Sequence, residues 1–279
     1  MFKDVLVPLV AWPDPTESRA VQEAMGLAGA MGAGVTALTF DLAFDVPANF
    51  LSNLVVGLPD LVAGARQQGG ANNARLVEEA GAAAAAAGVA FRHVCAACPS
   101  SAMPDHLAAH ARLHNLTIIP GGGSEVERER MAEAVIFASG RPVLLLPRTA
   151  PEGTPRLRRI GVAWDGSRTA ARAMGDALPL LKAAAEVHVL TVSGEKDVGG
   201  HAAAHLGRHL ACHGIEIRPE DLKTGGATVD ATLADYARMA GLDLLVMGAF
   251  GHNRTREFVL GGVTRRILDS PPLPVLLAH

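Results

Sequence analysis

Leu244-Leu245-Val246-Met247-Gly248-Ala249-Phe250-Gly251 is an apolar run that ends in glycine. Such a run reads as a buried parallel strand opening into a loop. After nine further residues come Gly261-Gly262-Val263-Thr264-Arg265-Arg266-Ile267-Leu268, which read as the start of a helix. Glycines let backbone come close to a ligand. The free N–H groups and the positive dipole end of a helix start suit a phosphate. Glycines that only shape a loop are the plain alternative, so the rest of the chain decides.

Just before this stretch, Thr228 to Ala240 reads as an amphipathic helix, with Leu233, Tyr236, Ala237 and Ala240 on one stripe. Just after it, Pro274-Val275-Leu276-Leu277 reads as a short strand. Further back, Ile160 to Asp165 and Val187 to Val192 are strand-like, and Ile215-Glu216-Ile217 is a third run. Ser167 is placed to cap a helix carrying Ala170, Ala173, Met174, Ala177 and Leu181, in which Pro179 predicts a kink or an early end. A further helix is expected near His201 to His213.

The first half has the same rhythm. Strands are expected at Val5–Val10, Val35–Asp41, Val89–Val94, Leu116–Pro120 and Pro142–Pro147. Between them lie a helix capped by Thr16, an Ala-rich helix from about Leu58 to Ala87, and helices at Pro104–Leu113 and Glu125–Phe137. Arg148 to Pro155 is rich in Pro and marks a linker. The expected fold is α/β: two tandem Rossmann-like domains, each a five-stranded parallel sheet with helices on both faces. The expected division is 1–148, a linker at 149–155, and 156–279. Ligands of such sheets bind outside the carboxyl ends of the strands, at the switch in strand order. Asp165 and Gly248 both fall on that edge.

The chain of 279 residues is 49% hydrophobic and 19% charged, which suits a sizeable core. Its net charge of −3 gives no general pull toward nucleic acid or an acidic membrane. No apolar run approaches the ~18 residues of a bilayer span. Three cysteines are too few for a disulfide scaffold, and Met1-Phe2-Lys3 opens no signal-peptide pattern. A cytoplasmic location is expected.

With Asp165 and these glycines placed, the second half resembles the universal stress protein family, whose fold is adenine nucleotide α-hydrolase-like. The signature G-x2-G-x9-G-[ST] of its nucleotide-binding members reads here as Gly248-x2-Gly251-x9-Gly261-Gly262. Val162-Ala163-Trp164-Asp165-Gly166-Ser167 resembles the family's strand-Asp-Gly-Ser opening. The first half resembles the same fold more loosely. The resemblance implies ATP binding, with Mg as its accompanying ion, in the second half and a regulatory role in stress. It places Ala163 and Asp165 at the adenine or ribose, Val192 beside the adenine, and Met247 and Gly248 on the ribose side. Gly251, Gly261, Gly262, Val263 and Thr264 would cradle the phosphates. Gly262 departs from the family's Ser/Thr, and Thr264 is the hydroxyl left to compensate.

The first half departs further: Val10 stands where the second half has Asp165. Counting back from Val143 puts Glu129 and Arg130 opposite Gly261 and Gly262. The first half is therefore expected not to bind ATP and to serve structurally. In this family the fifth strands pair across a two-fold, so Val143–Leu146 is expected to pair with Val275–Ala278 within the chain. A second copy of the chain and a protein partner remain open as partners.

His201, His205, His209 and His213 recur every fourth residue, each turned roughly 40° from the last. They read as a solvated face; zinc is the alternative. Cys95-Ala96-Ala97-Cys98, with His93 nearby, reads as ordinary buried cysteines after a strand, with a redox pair or half a zinc site as the alternatives. Arg254, Arg256, Arg265 and Arg266 lie in or beside the phosphate loop, and Asp230 and Asp235 have no evident partner. No Walker, G-x-S-x-G or H-E-x-x-H motif is present, no catalytic or metal residue is assigned, and efficient catalysis is not expected. A nucleotide-free interaction protein is the main rival; an adenylyl-transfer enzyme is the second.

Overall fold

A computed structural model describes residues 2–43, 58–149, 156–193, 201–251 and 262–279. The first half contributes strands β1 (Asp4–Leu9), β2 (Gly34–Ala43), β3 (Phe91–Pro99), β4 (Leu116–Ile119) and β5 (Val143–Leu145). The second contributes β6 (Arg159–Ala163), β7 (Glu186–Ser193), β8 (Ile217–Lys223), β9 (Leu244–Gly248) and β10 (Val275–Ala278). The first-half helices are α1 (Ser18–Met31), α2 (Leu58–Ala86), α3 (Met103–Ala111) and α4 (Glu125–Ala138). The second-half helices are α5 (Arg168–Leu181), α6 (His201–Ala211), α7 (Val229–Ala240) and α8 (Gly262–Asp269).

These strands form one sheet in the order β3-β2-β1-β4-β5-β10-β9-β6-β7-β8. Pairing inside each half is parallel. At the join, β5 and β10 run antiparallel, with Leu144 opposite Leu276. The expected pairing of the two fifth strands is thereby borne out. The order is palindromic about that pair, so an internal two-fold relates the halves. Each half switches strand order between its first and fourth strands, β1/β4 and β6/β9.

The inner strands are apolar because both faces are covered. One face packs Val21 and Met25 of α1, Leu76 and Ala80 of α2, Ala173 and Met174 of α5, and Leu206 and Leu210 of α6. The other packs Leu107 of α3, Met131 and Val135 of α4, Leu233 and Tyr236 of α7, and Ile267 and Leu268 of α8. Helices leave the sheet cleanly where the sequence allows a left-handed residue. Gly241 (φ 61°) closes α7, and Leu242 N–H then returns to Ala237 O at 2.8 Å. No helix among the described residues is long and apolar enough to cross a membrane.

Several local expectations are corrected. β3 begins at Phe91 and runs on through Cys95 and Cys98 to Pro99. The cysteines therefore lie within a strand, where three residues span about 10 Å, beyond disulfide reach. Cys95 is exposed and Cys98 buried, so only one of the two is an ordinary core cysteine. β8 starts at Ile217 and extends to Lys223, later and longer than expected. α5 continues two residues past Pro179, whose ring falls in the last turn. Thr16 does not cap α1: its Oγ1 accepts Val10 N–H at 3.0 Å, and Glu17 holds the N-cap position without a side-chain bond.

Candidate functional site

The carboxyl edge of the second half gathers three pieces of chain: the turn after β6, the turn after β9 and the start of α8. The turn after β6 is ordered by Asp165. Its Oδ1 accepts Ser167 N–H at 2.9 Å, Gly166 takes a left-handed φ of 72°, and the exposed carboxylate stays on the rim. Ser167 then caps α5, its Oγ accepting Ala170 N–H at 3.1 Å, as its sequence position implies.

Gly248 and Gly251 face this first turn of α5. A Cβ at Gly248 would run into Ala170 N and lie 2.6 Å from Thr169 Oγ1. One at Gly251 would lie 2.8 Å from the same hydroxyl and 3.1 Å from Ser167 Oγ. Gly248 is thus required by the approach of the α5 backbone to the β9 turn, a reason within the protein itself, whereas Gly251 meets only the side chains of Ser167 and Thr169. Between them Phe250 adopts φ 54°, left-handed for a bulky residue. Its N–H donates to Thr264 Oγ1 at 3.2 Å, and its ring lies 4.7 Å from that of Phe137 on α4.

Met247 is only 6% exposed, and Thr264 is 5% exposed with its hydroxyl turned to Phe250. Ala163 and Val192 are partly buried at the ends of β6 and β7, and Val263 packs on the same core layer. Gly262 is exposed as the first residue of α8. Gly261, Arg254 and Arg256 lie outside the described residues. So Asp165, Gly248, Gly251 and Thr264 are drawn together around two adjacent turns, while the side chains of Met247 and Thr264 face inward.

Two partners that the sequence left unnamed are ion pairs. Arg266 Nη2 meets Asp230 Oδ1 at 2.6 Å, and Arg238 Nη2 meets Asp235 Oδ1 at 2.7 Å. Burial would raise the Asp230 carboxyl, but hydrogen bonds from Arg266 and Thr228 outweigh it and hold it below the usual range. Arg265 Nε lies 3.7 Å from Glu129 of the first half. Arg265 and Arg266 could not have been paired from sequence, because their partners come from other helices; Asp235 and Arg238 stand three residues apart on α7, a spacing that does signal a pair.

Beside Asp165, on the α5–α6 side of the sheet, an open groove of about 460 Å³ is lined by Trp164, Gly166, Met174, His205, Leu206 and His209. That lies within the usual size range of small-molecule clefts, about 300–1,000 Å³. The first half is closed at both corresponding places. Only about 20 Å³ remains among Trp12, Phe40, Asn73 and their neighbours, and about 20 Å³ among Pro120, Gly122, Ser124 and Arg128. Glu129 and Arg130 do not fill the latter; they pair with Arg265 and Glu127. Glu17 covers Gly122 instead, its Oε1 2.8 Å from where a Cβ would stand. Arg128, pushed down by burial, donates from Nη2 to Leu146 O.

Of the histidine series, the side chain of His201 lies outside the described residues. His205 contacts Arg208, and the His209 and His213 rings sit 5.0 Å apart. Among the described residues no cluster of three or more metal-binding side chains occurs.

A further open space in the first half, about 420 Å³, lies at the carboxyl ends of β2 and β3 among Asp41, Leu42, Arg66 and Cys98. The architecture is that of a duplicated parallel α/β protein whose two carboxyl edges open at different places. Residues 156–279 match the model of the universal stress protein family. Universal stress protein Slr1230 of Synechocystis is 30% identical over 148 residues, 52% of this chain and 49% of that relative, so the match spans about half the relative's length. A universal stress protein from Archaeoglobus fulgidus DSM 4304 superposes with TM-score 0.69 at 16% identity, covering 99% of this chain and 98% of its own. A functionally unknown protein from Pseudomonas aeruginosa PAO1 does so with TM-score 0.55, also at 16% identity, covering 99% and 92%. Those two likenesses are of fold. The likeness to the universal stress protein family is thus carried in sequence by the second half of the chain.

Proposed function

We propose that the second half binds ATP, with Mg, or a related nucleotide, at the carboxyl edge of β6 and β9, and that the bound nucleotide sets a regulatory state. The observation that carries this is the asymmetry between the halves. The edge bearing Asp165, Gly248 and Gly262 stands beside an open groove of about 460 Å³ between α5 and α6, whereas the corresponding first-half places hold about 20 Å³ each. The first half's own open space, about 420 Å³, lies at the ends of β2 and β3, away from its switch in strand order. On this reading Asp165 meets the ribose or base through its exposed carboxylate, and the amides of the β9 turn and the α8 start take the phosphates. Residues 1–148 act as a degenerate structural domain joined by 149–155 to the binding domain 156–279.

Isothermal titration of nucleotide-stripped protein with Mg-ATP, with AMP as control, tests this. One saturable site per chain, weakened by Asp165→Ala, is the expected result. Two sites would overturn the assignment to one half. No heat up to millimolar ATP in folded, stripped protein would replace it with a nucleotide-free interaction role.

A further inference from the structure

We propose that Arg266 is the residue that distinguishes a nucleoside triphosphate from a monophosphate at this site, its guanidinium held over the first residue of α8 by Asp230. The inference rests on the nucleotide reading above. Gly262 carries no side chain, and Arg266 Nη1 lies 3.2 Å from where one would begin. Arg266 stands four residues further along the same helix, and helical side chains lean back toward the N-terminus. Asp230 on α7 fixes the other arm, Nη2, at 2.6 Å.

The side chain of Asp230 is 15% exposed and that of Arg266 50%, so the carboxylate is the seated partner and the guanidinium its solvent-facing extension. A guanidinium offers five donors in a rigid fork; Asp230 engages one arm and leaves the other over Gly262. A cation and a helix start, both positive, thus share one place, where a single carboxylate is the only counter-charge within ion-pair distance among the described residues. A triphosphate carries its added charge at the free end of its chain, where both features would act on it. A monophosphate ends at its first phosphate and gains less.

The test is calorimetric titration of the stripped full chain with ATP, ADP and AMP at fixed ionic strength, for the wild type, Arg266→Ala and Arg266→Lys. Removing a charge-assisted contact is expected to weaken ATP by about tenfold or more. AMP affinity should stay unchanged, so the ATP-to-AMP ratio collapses. Arg266→Lys, which keeps the charge and loses the fork, should give an intermediate ratio and remains informative if the alanine variant folds poorly. Equal losses for ATP and AMP, or ATP affinity unchanged in both variants, would overturn the assignment of Arg266. A wild-type chain that binds neither nucleotide overturns the nucleotide reading itself, a different and recognisable failure.

Discussion

Gly248 shows how one atom governs this edge of the molecule. It is the last residue of β9, and a methyl group there would enter the backbone of Thr169 and Ala170. Backbone cannot swing aside as a side chain can, so Gly248→Ala is expected to destabilise the fold by about 1–3 kcal/mol. Urea denaturation measures it; a shift of only a few tenths would show that α5 can retreat. Gly262 is the opposite case, because the neighbour a Cβ would meet is the flexible end of Arg266. The sequence exposed both glycines as unusual but not this difference. Gly248 is constrained by a helix that starts some eighty residues earlier in the chain, and such contacts leave no trace in local spacing. The same holds for Thr264, which reads as a phosphate hydroxyl beside its glycines and folds inward to hold Phe250.

Between elements, β7, β8 and α7 are tied by a polar chain inside an apolar layer. His188 Nδ1 and the Tyr236 hydroxyl lie 2.8 Å apart, and His188 Nε2 lies 3.4 Å from Glu186. Burial, with a hydrogen bond to Glu220, pushes the Tyr236 phenol up to about 12. The unfolded value is about 10. The folded form therefore keeps its proton longer than the unfolded form does. The resulting stability is fully present below about pH 10 and is lost as pH rises toward about 12, an effect of about 3 kcal/mol. Tyr236 is the chain's one tyrosine, so phenolate absorbance follows it alone. Denaturation at pH 9 to 12 should show a loss of stability that Tyr236→Phe lacks; identical slopes would refute the shift. The strands misread from sequence, β3 and β8, are the two edges of the sheet. An edge strand has one neighbour and a wetter surface, so its apolar alternation fades; β8 even carries Pro219, which edges tolerate. The inner strands, apolar on both faces, were legible throughout.

At the scale of the molecule, the β5–β10 join closes what would otherwise be two exposed edges. Other ties cross the same boundary: Phe137 against Phe250, Glu129 against Arg265, and Arg172 Nη2 donating to Gly140 O at 2.9 Å. The turn that carries Gly248 and Gly251 therefore leans on the other half of the chain. A fragment of residues 156–279 would bare the β10 edge and the Phe250 ring. It is expected to pair with a second copy through β10, as unpaired edges do, and light scattering after gel filtration would report a dimer. A folded fragment that stays monomeric would show that the join is dispensable. Apolar runs at Val143–Leu146 and Val275–Ala278 made the join readable from sequence, whereas the aromatic contact across it was not.

The internal two-fold has one more consequence. A symmetric pair of separate chains exists only to the extent that its concentration exceeds its dissociation constant, and dilution takes it apart. Here the second member is supplied by the same polypeptide, so this pairing holds within a single molecule at any dilution. Nor must both members stay alike. With partnership guaranteed by the peptide chain, one cleft was free to fill with Glu17 and Arg128 while the scaffold it lends to the other persisted.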